Sequence, residues 1–329
     1  MISVKYNSFG RTNLRVSELG FGCGSVGGLL VRGDMREMVQ TIERAIELGV
    51  NYFDTASIYG DGTSESNLGA VLQELGVNVL VGTKVRLSNS DMENIQDAVL
   101  ESVEASLKRL TLDCIDIIHL HNPISMQRDP KRNAVGLNDL KPVIQAFQFL
   151  QKEGKVKFYG INGLGETEAL HHAVKVTGAY SIQTCYNLIN PSAGQTTPQS
   201  FPFQDFNKLM NQASKHGMGI IAIRVLAGGA LSGTVQRQPN AAKTVSPIAT
   251  SKDYAHDVTH AQTFRFLVEQ GYTDNLVEAA IRFAISNSNV STALIGFSNL
   301  EQLEQAAEYV AKGPLPAKPL KQIKEIWHR

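Results

Sequence analysis

The sequence predicts an α/β fold, a (β/α)8 TIM barrel, in which eight parallel strands alternate with eight helices. Three observations predict it. Short apolar runs alternate with longer helical patterns along almost the whole 329-residue chain, and no Pro/Ser-rich linker or change of composition divides it. The glycine-rich stretch GFGCGSVGG is followed by no clear acidic residue in the ribose-binding role that an open dinucleotide-binding sheet would have at the end of its second strand. We therefore expect residues 1–329 to form one domain, with an N-terminal β-hairpin and extra loops or helices at the carboxyl face.

The eight repeats are placed by hydrophobic periodicity and by the turn residues that bound each run. In the first helix, Met38, Ile42 and Ala45 fall on one face, and Gly49 ends the pattern. The strands are expected near residues 17–24, 51–55, 79–85, 115–121, 156–162, 181–187, 219–225 and 291–297. The helices are expected near residues 34–49, 64–76, 92–110, 140–154, 166–177, 206–215, 275–287 and 301–312.

Two segments lie outside the repeat. Residues 2–16 flank the turn Gly10-Arg11-Thr12-Asn13, which reads as a hairpin that could plug the bottom of the barrel. Residues 227–257 form a long Gly/Ala/Ser/Pro-containing loop between strands seven and eight. Loops of this length inside a compact domain are usually functional or disordered, and this one leaves the end of the barrel where ligands bind.

Composition narrows the class of partner. Lys plus Arg equals Asp plus Glu, at 31 each, which gives no reason to expect a nucleic-acid or membrane partner. The N-terminus has no apolar run like that of a signal peptide, and no segment approaches the ~18 apolar residues of a membrane helix. The three cysteines fit neither a disulfide framework nor a metal knuckle. We expect a cytoplasmic protein without a metal site, a monomer or weak homo-oligomer, that acts on a small molecule.

Polar residues collect at the carboxyl ends of the predicted strands, where barrels of this class place their active sites. Asp54 ends the second strand, with Tyr59 in its loop; Lys84 lies near the end of the third strand, and His121 closes the fourth. Taken singly, these are ordinary turn, packing or solvated residues. Together they describe a carboxylate that fixes a lysine, a lysine whose charge favours a tyrosinate, and a histidine that orients a carbonyl. That is a proton donor beside a polarised C=O, lacking only a hydride.

The stretch IDIIHLHNP carries two histidines on the same face of one strand. His121 directly precedes Asn122-Pro123, where proline ends the strand, so it is predicted at the mouth. His119 is expected ~6–7 Å deeper, as a neutral, hydrogen-bonded core histidine whose loss costs stability more than rate.

The same residues lie in motifs that resemble the aldo-keto reductase superfamily over essentially the whole chain. FGRTNLRVSELGFGCGSVG resembles the opening hairpin and first strand, NYFDTASIYGDGTSESNLG the FDTAxxYGxxxxExxLG motif, and VLVGTKV the third strand. The resemblance implies a (β/α)8 oxidoreductase using NADP(H), with Asp54, Tyr59, Lys84 and His121 as its catalytic residues. Tyr59 would give or take the proton, Lys84 held by Asp54 would tune it, and His121 would hydrogen-bond the substrate oxygen.

The resemblance leaves direction and substrate open. The opening FGCGSVGGLL and the SIYGDGTSE loop look more like the branch that contains aldose dehydrogenases and bacterial aldehyde reductases than the steroid-reducing branch. The reaction would reduce an aldehyde or ketone, or oxidise an alcohol or a sugar's anomeric carbon, and an NAD-dependent aldose 1-dehydrogenase is one alternative. A second alternative is a cofactor-bound redox sensor or accessory subunit with little turnover. A third, from a different chemistry, is a lyase in which Lys84 forms a Schiff base.

The implied cofactor contacts depart from the family pattern at several positions. Asn162 stands where the family has a serine that holds the nicotinamide carboxamide, and Gln183 matches the third carboxamide ligand. In IIAIRVLAGGALSG the usual stacking aromatic is absent; the guanidinium of Arg224 is planar and is a candidate for its place. Cys23 stands where the family often has a threonine near the ribose, although an inert buried thiol is about equally expected.

At the adenosine end, GFSNLEQLEQ resembles the GASxxEQxxEN segment. Ser298 and Gln302 match, whereas Gln305 replaces the closing asparagine, and no Lys or Arg in the matched positions would neutralise a 2′-phosphate. NADP(H) is the expected cofactor and NAD(H) the alternative. The expected contacts are Gly22, Cys23, Asn162, Gln183, Arg224, Leu226, Gly228, Ser298, Gln302 and Gln305.

Overall fold

Eight parallel strands close into a barrel in chain order in the computed structural model, which describes residues 3–328. Residue 2 of the predicted hairpin region, and residues 1 and 329 of the predicted domain, lie outside the described residues. The predicted (β/α)8 fold is confirmed. The strands are β1 (Tyr6–Ser8), β2 (Arg15–Ser17), β3 (Leu19–Gly22), β4 (Tyr52–Asp54), β5 (Leu80–Val85), β6 (Ile115–Leu120), β7 (Ile124–Ser125), β8 (Val135–Gly136), β9 (Val156–Asn162), β10 (Ser181–Cys185), β11 (Gly219–Ile223) and β12 (Thr292–Gly296).

The barrel consists of β3 to β6 and β9 to β12, and helices follow its strands around the outside. All eight predicted helices are present. The helices are α1 (Leu29–Arg32), α2 (Met35–Glu47), α3 (Thr63–Leu75), α4 (Ile95–Leu110), α5 (Leu137–Lys152), α6 (Thr167–Val176), α7 (Leu209–Lys215), α8 (Tyr254–Gln262), α9 (Phe266–Glu269), α10 (Leu276–Ile285), α11 (Leu300–Ala311) and α12 (Ala317–Trp327), with 3-10 turns at Ser90–Glu93 and Ala227–Ser232. Between residues 3 and 328, no helix combines the length and apolar character needed to cross a bilayer.

The hairpin β1–β2 closes the amino-terminal end of the barrel, as predicted from the sequence. Phe9 is fully buried and its ring lies 6.2 Å from that of Tyr52 on β4. Gly10 has a φ of 55°, and a Cβ there would lie 2.3 Å from the backbone nitrogen of Gly219. Because only glycine fits this approach without displacing backbone, Gly10 seats the hairpin against the base of β11.

Strand register sets the depth of the polar residues. Asp54 pairs with Gly22 and Gly82 on its two neighbours, and Lys84 pairs with His119. A Cβ at Gly82 would lie only 2.4 Å from the hydroxyl of Tyr52. Glycine at this position therefore leaves the room in which buried polar side chains meet inside the barrel.

Two parts of the carboxyl face differ from the predicted outline. The long segment after β11 contains a 3-10 turn and the start of α8 rather than one continuous loop, and α12 was not predicted. Leu320, Ile323 and Trp327 give α12 a helical apolar stripe, but prolines around its start obscure the pattern. The indole of Trp327 donates to the carbonyl of Leu188 at 2.8 Å, which ties this helix to the loop after β10.

Candidate active site

A buried ion pair lies at the carboxyl end of the barrel interior. Lys84 Nζ contacts Asp54 Oδ1 and donates to the carbonyl of Thr55 at 2.6 Å, and both charged side chains are only 2% exposed. Burial alone would lower the pKa of Lys84, but the Asp54 carboxylate and the Tyr59 phenol raise it above its ordinary value. Lys84 is therefore a fixed cation. A protonated amine is a poor nucleophile, so this arrangement does not favour the Schiff-base alternative.

Two further groups hold the Asp54 carboxylate from the side away from Lys84. The hydroxyl of Tyr52 donates to Asp54 Oδ2 at 2.9 Å, and the amide of Gln183 donates to the same oxygen at 2.6 Å. Tyr52 is fully buried, and burial and the neighbouring carboxylate raise its pKa well above the ordinary value, so it remains a neutral donor. The carboxylate thus has partners on both oxygens, as a buried charge requires.

Tyr59 lies directly outside this pair, half-buried at the mouth. Lys84 Nζ is 5.0 Å from the centroid of its ring, and the ring meets that of His121 edge-on at a centroid distance of 5.8 Å. A Cβ at Gly24 would lie 3.9 Å from the Tyr59 hydroxyl. The absence of a side chain at Gly24 therefore leaves open the space beside that hydroxyl.

His121 lies one residue past β6 rather than within it, although its N–H still bonds the carbonyl of Val85 at 2.7 Å. The amide of Asn162 donates to the His121 carbonyl at 2.7 Å and fixes the backbone from the other side. Burial, followed by the positive charges of Lys84 and Arg86, lowers the pKa of His121 well below its ordinary value. The imidazole is therefore neutral near pH 7 and can donate its one N–H to a substrate oxygen.

His119 lies deeper, 1% exposed, as predicted for a core histidine. Its Nε2 shares a 2.9 Å hydrogen bond with Ser181 Oγ, and its Nδ1 has no partner within residues 3–328. Burial, helped by the charge of Lys84, lowers its pKa from 6.5 to about 3. The ring is neutral at physiological pH and does not reach the mouth.

We predict that His119→Leu costs about 1–3 kcal/mol of unfolding free energy at pH 7.5, because Ser181 loses its buried partner, while kcat stays near the wild-type value. The unfolded chain binds a proton near pH 6.5 and the folded chain only near pH 3. Wild type therefore loses up to about 1.4 kcal/mol per pH unit as pH falls below 6.5, and the leucine variant lacks this loss. Urea denaturation of both proteins should show a smaller difference in unfolding free energy at pH 5 than at pH 7.5. An equal difference at both pH values, or a large fall in kcat, would contradict this role.

The two amides assigned to a nicotinamide carboxamide are already engaged within the protein. Asn162 is 6% exposed and Gln183 is 5% exposed, and they are paired in register on β9 and β10. Both use their NH2 groups internally, on the His121 carbonyl and the Asp54 carboxylate respectively. No contact of the described residues engages their amide oxygens, which can accept hydrogen bonds from a ligand. The sequence had not indicated that Gln183 also supports Asp54.

The segment after β11 places Arg224 beside the site. Its φ is 56°, and Asn187 donates to its carbonyl at 2.9 Å, which holds this left-handed backbone. The guanidinium reaches the Ser246 carbonyl at 3.3 Å and lies over Gly228, where a Cβ would be 3.0 Å away. Leu226, half-buried, comes between them in the chain. The structure thus brings Arg224, Leu226 and Gly228 together along one wall.

At the start of α11, the predicted adenosine residues separate into two groups. Ser298 donates from Oγ to the Gly27 carbonyl at 2.7 Å, and its N–H bonds Gln302 Oε1 at 2.9 Å. Gln305 is exposed and donates to Glu301 at 3.1 Å on the outer face of the helix. Ser298 and Gln302 form one cluster, and no described contact joins Gln305 to it.

The neighbouring residues Gly22 and Cys23 face opposite sides of the barrel wall. The Cys23 thiol is 1% exposed, packs in the layer between barrel and helices, and has its pKa raised by burial and by the Asp54 charge. Such a thiol is inert. Gly22 pairs with Asp54 at the mouth, where a Cβ would lie 3.0 Å from the Ile295 carbonyl. A contact from Cys23 to a ligand would have to come from its backbone.

Asn240, on the long segment before α8, was not singled out from the sequence, yet it joins three elements. Its amide donates to Ser298 O and to Glu37 Oε2, both at 3.0 Å, and its carbonyl accepts from Arg32 Nε at 2.8 Å. A residue in an unpatterned loop gives no periodic signal. Tyr52 and Arg86, in contrast, were detectable, since they lie two residues from Asp54 and Lys84 and so share their inward direction.

A cleft of about 450 Å³ opens at the same face, between the loops that follow β6, β9, β10 and β11. Its wall includes Pro123, two residues beyond His121, and Leu164, two residues beyond Asn162. Arg132 and Glu166 also line it. None of Tyr59, Lys84 and His121 lines this cleft, which therefore adjoins the polar residues of the mouth rather than containing them.

Comparison with known proteins identifies the family of this chain and a shared fold. A model of the aldo/keto reductase family matches residues 18–328. The L-galactose dehydrogenase of Arabidopsis thaliana is 28% identical, with 93% of this chain and 88% of the relative covered. A Schizosaccharomyces pombe protein assigned as a voltage-gated potassium channel subunit beta is 29% identical, covering 98% of this chain and 93% of the relative.

Among solved structures, an aldo-keto reductase from Bacillus halodurans in its holo form superposes with a TM-score of 0.72. The match covers 99% of this chain and 97% of that one at 24% sequence identity, and it supports the fold alone. The family match extends from the first barrel strand to the last described helix and contains Asp54, Tyr59, Lys84 and His121. The chain belongs to the aldo/keto reductase family.

Proposed function

We propose that this protein is an NAD(P)H-dependent oxidoreductase that reduces aldehydes or ketones to alcohols, or oxidises an alcohol or a sugar's anomeric carbon. One observation carries the proposal. The ring centroid of Tyr59, at the open mouth, lies 5.0 Å from the buried Nζ of Lys84, and the ring meets the neutral imidazole of His121 edge-on. Tyr59 and His121 then act on one substrate oxygen, and Lys84 acts on it through Tyr59. The relative named L-galactose dehydrogenase supports the oxidising direction on a sugar.

The chain's own groups divide the work. Tyr59 donates a proton to the carbonyl oxygen as it gains negative charge, and takes it back in the reverse direction. Lys84, held by Asp54, keeps a positive charge beside the phenol and stabilises its ionised form. His121 donates its N–H to the same substrate oxygen and fixes the orientation of the carbonyl. Asp54 takes no part in proton transfer, because both of its oxygens are occupied.

The residues at the mouth fit a nicotinamide cofactor. The free amide oxygens of Asn162 and Gln183 suit the NH2 of a carboxamide, and the unfilled space at Gly24 lies next to the Tyr59 hydroxyl. Bound there, the nicotinamide would supply or accept the hydride that no amino acid side chain can provide. Arg224, Leu226 and Gly228 would hold the middle of the cofactor, and Ser298 with Gln302 its adenosine end.

The test of the proposal is oxidation of NADPH with a panel of aldehydes, and reduction of NADP+ with a panel of aldoses. Steady turnover with any of them supports an enzyme. Complete inactivity together with tight cofactor binding would overturn the proposal in favour of the accessory-subunit alternative. The relative assigned as a potassium channel beta subunit supports that alternative.

For the cofactor we propose NADP(H), supported by a cation that sequence matching did not identify. Arg32, Glu37 and Ser298 all contact Asn240, and Arg32 can neutralise a 2′-phosphate held beside Ser298. Glu37, in contrast, suits a ribose hydroxyl. We predict a Kd for NADPH at least about tenfold lower than for NADH, measured by thermal stabilisation. Arg32→Gln should remove this preference, and Arg36→Gln, an exposed arginine on α2, should not. Tighter binding of NADH would overturn the NADP proposal and assign Glu37 to the ribose.

A further inference from the structure

Arg86 is a cation at the mouth that the proposed reaction does not use. It lies two residues beyond Lys84, directly after β5 ends at Val85, and its side chain is half-buried. The backbone that follows it is fixed, because Asn122 donates to the Leu87 carbonyl and accepts from the Leu87 N–H, both at 2.8 Å. Arg86 is therefore presented from ordered backbone.

The guanidinium of Arg86 has no anionic partner in the described part of the chain. Within residues 3–328, no carboxylate lies within 4.0 Å of it and no side-chain hydrogen bond engages it, whereas Arg109 and Arg282 pair with buried glutamates. Burial lowers the pKa of Arg86, the Tyr59 phenol opposes that effect, and the charge of Arg86 in turn helps to lower the pKa of His121. The geometry agrees, because the N–H of His121 donates to the carbonyl of Val85, the residue before Arg86, at 2.7 Å, so Arg86 and His121 leave the barrel at neighbouring points of the mouth.

A second guanidinium lies on the far side of the mouth. Arg224 follows β11, which is four strands from β5 in a barrel of eight, and it too lacks a carboxylate partner within the described residues. Asp54 is 2% exposed and already neutralised by Lys84, so it does not offset these charges. Asp257 lies close enough to act on Arg224, and Asp129 and Glu166 line the neighbouring cleft. An unpaired, partly desolvated guanidinium is costly, and its planar fork matches a carboxylate in two parallel hydrogen bonds.

We propose that the substrates are carbonyl compounds that carry a carboxylate, or the corresponding alcohols, and that Arg86 binds the carboxylate. The inference rests on the proposed function and narrows its substrate class. Arg86 directly follows β5, and His121 directly follows β6, the strand paired with it, so an acid group held by Arg86 leaves the carbonyl of the same molecule beside His121 and Tyr59. A neutral analogue of the same shape leaves the guanidinium unpaired and binds more weakly.

The test compares 4-carboxybenzaldehyde with benzaldehyde in wild type and in Arg86→Met. We expect wild type to prefer the acid in kcat/KM, and Arg86→Met to lose roughly 10- to 100-fold on the acid alone. Arg86→Lys should keep part of the preference, because it retains the charge without the fork. Arg265→Met removes an exposed arginine paired with Glu269 and should leave the ratio unchanged.

An acid-to-neutral ratio that is equal in wild type and Arg86→Met would overturn the proposal. Equal losses on both aldehydes, with a displaced pH profile, would also overturn it and would show that Arg86 tunes Tyr59. If no carbonyl compound is turned over, the proposed oxidoreductase function fails. The proposal that Arg86 binds a carboxylate is then decided by binding measurements alone. Calorimetric titration of cofactor-loaded protein with benzoate and benzyl alcohol should show benzoate affinity that Arg86→Met abolishes; unchanged benzoate affinity would overturn it.

Discussion

Tyr59→Phe is expected to lower kcat by about 10²- to 10⁴-fold while the fold and cofactor binding stay intact. The phenol is half-buried at the mouth, and its ring contacts, 5.0 Å to Lys84 Nζ and 5.8 Å to the His121 ring, are ones a phenylalanine can keep. Only the hydroxyl is lost, and with it the proton donor. Assays with an aldehyde substrate, thermal unfolding and NADPH titration on the same preparation separate these effects.

The control for this prediction is Tyr6→Phe, which removes a hydroxyl from a tyrosine that is 39% exposed on the hairpin. It should leave kcat unchanged. Wild-type turnover in Tyr59→Phe would show that another group supplies the proton. Equal but very slow NADPH oxidation in both variants and in wild type would instead support the accessory-subunit alternative.

The fold was predictable because its signals are local and repeated. Each strand and helix carries its own period, and the hairpin carries its own turn residues, so the barrel follows from the sum of many short patterns. Strand ends were predicted up to two residues too long at the mouth, as with Ser181–Cys185 against 181–187. At these positions the chain enters the loops, and the alternation of apolar and polar residues no longer shows which residues pair in the sheet.

The partners of the site residues were harder to predict because they lie far apart in the chain. Gln183 donates to Asp54 across 129 residues, and Asn240 reaches Arg32 across 208. Motif matching assigned Gln183 a ligand role by position and could not show that its amide also holds a carboxylate. Tyr52 and Arg86 lie beside recognised motif residues, and counting strand parity outward from Asp54 and Lys84 would have identified both.

The largest effect on stability is expected from Lys84→Met. Both members of the pair are 2% exposed, so removing the ammonium leaves a buried carboxylate with only Tyr52 and Gln183 as donors. Breaking a buried pair in this way typically costs about 3–5 kcal/mol. Turnover should fall by about 10²- to 10⁴-fold as well, since the charge beside Tyr59 is lost. Urea denaturation and the aldehyde assay measure the two losses independently.

The double variant Asp54→Asn/Lys84→Met distinguishes a structural lysine from a catalytic one. With both charges removed, an amide meets a thioether, and most of the lost stability should return, because replacing a buried pair by neutral groups is often close to neutral in energy. Activity should not return, since the phenol at the mouth still lacks its neighbouring cation. Recovery of turnover together with stability would mean that Lys84 acts on the reaction only by keeping the barrel folded, and the proton-donor assignment of Tyr59 would then lose its electrostatic support.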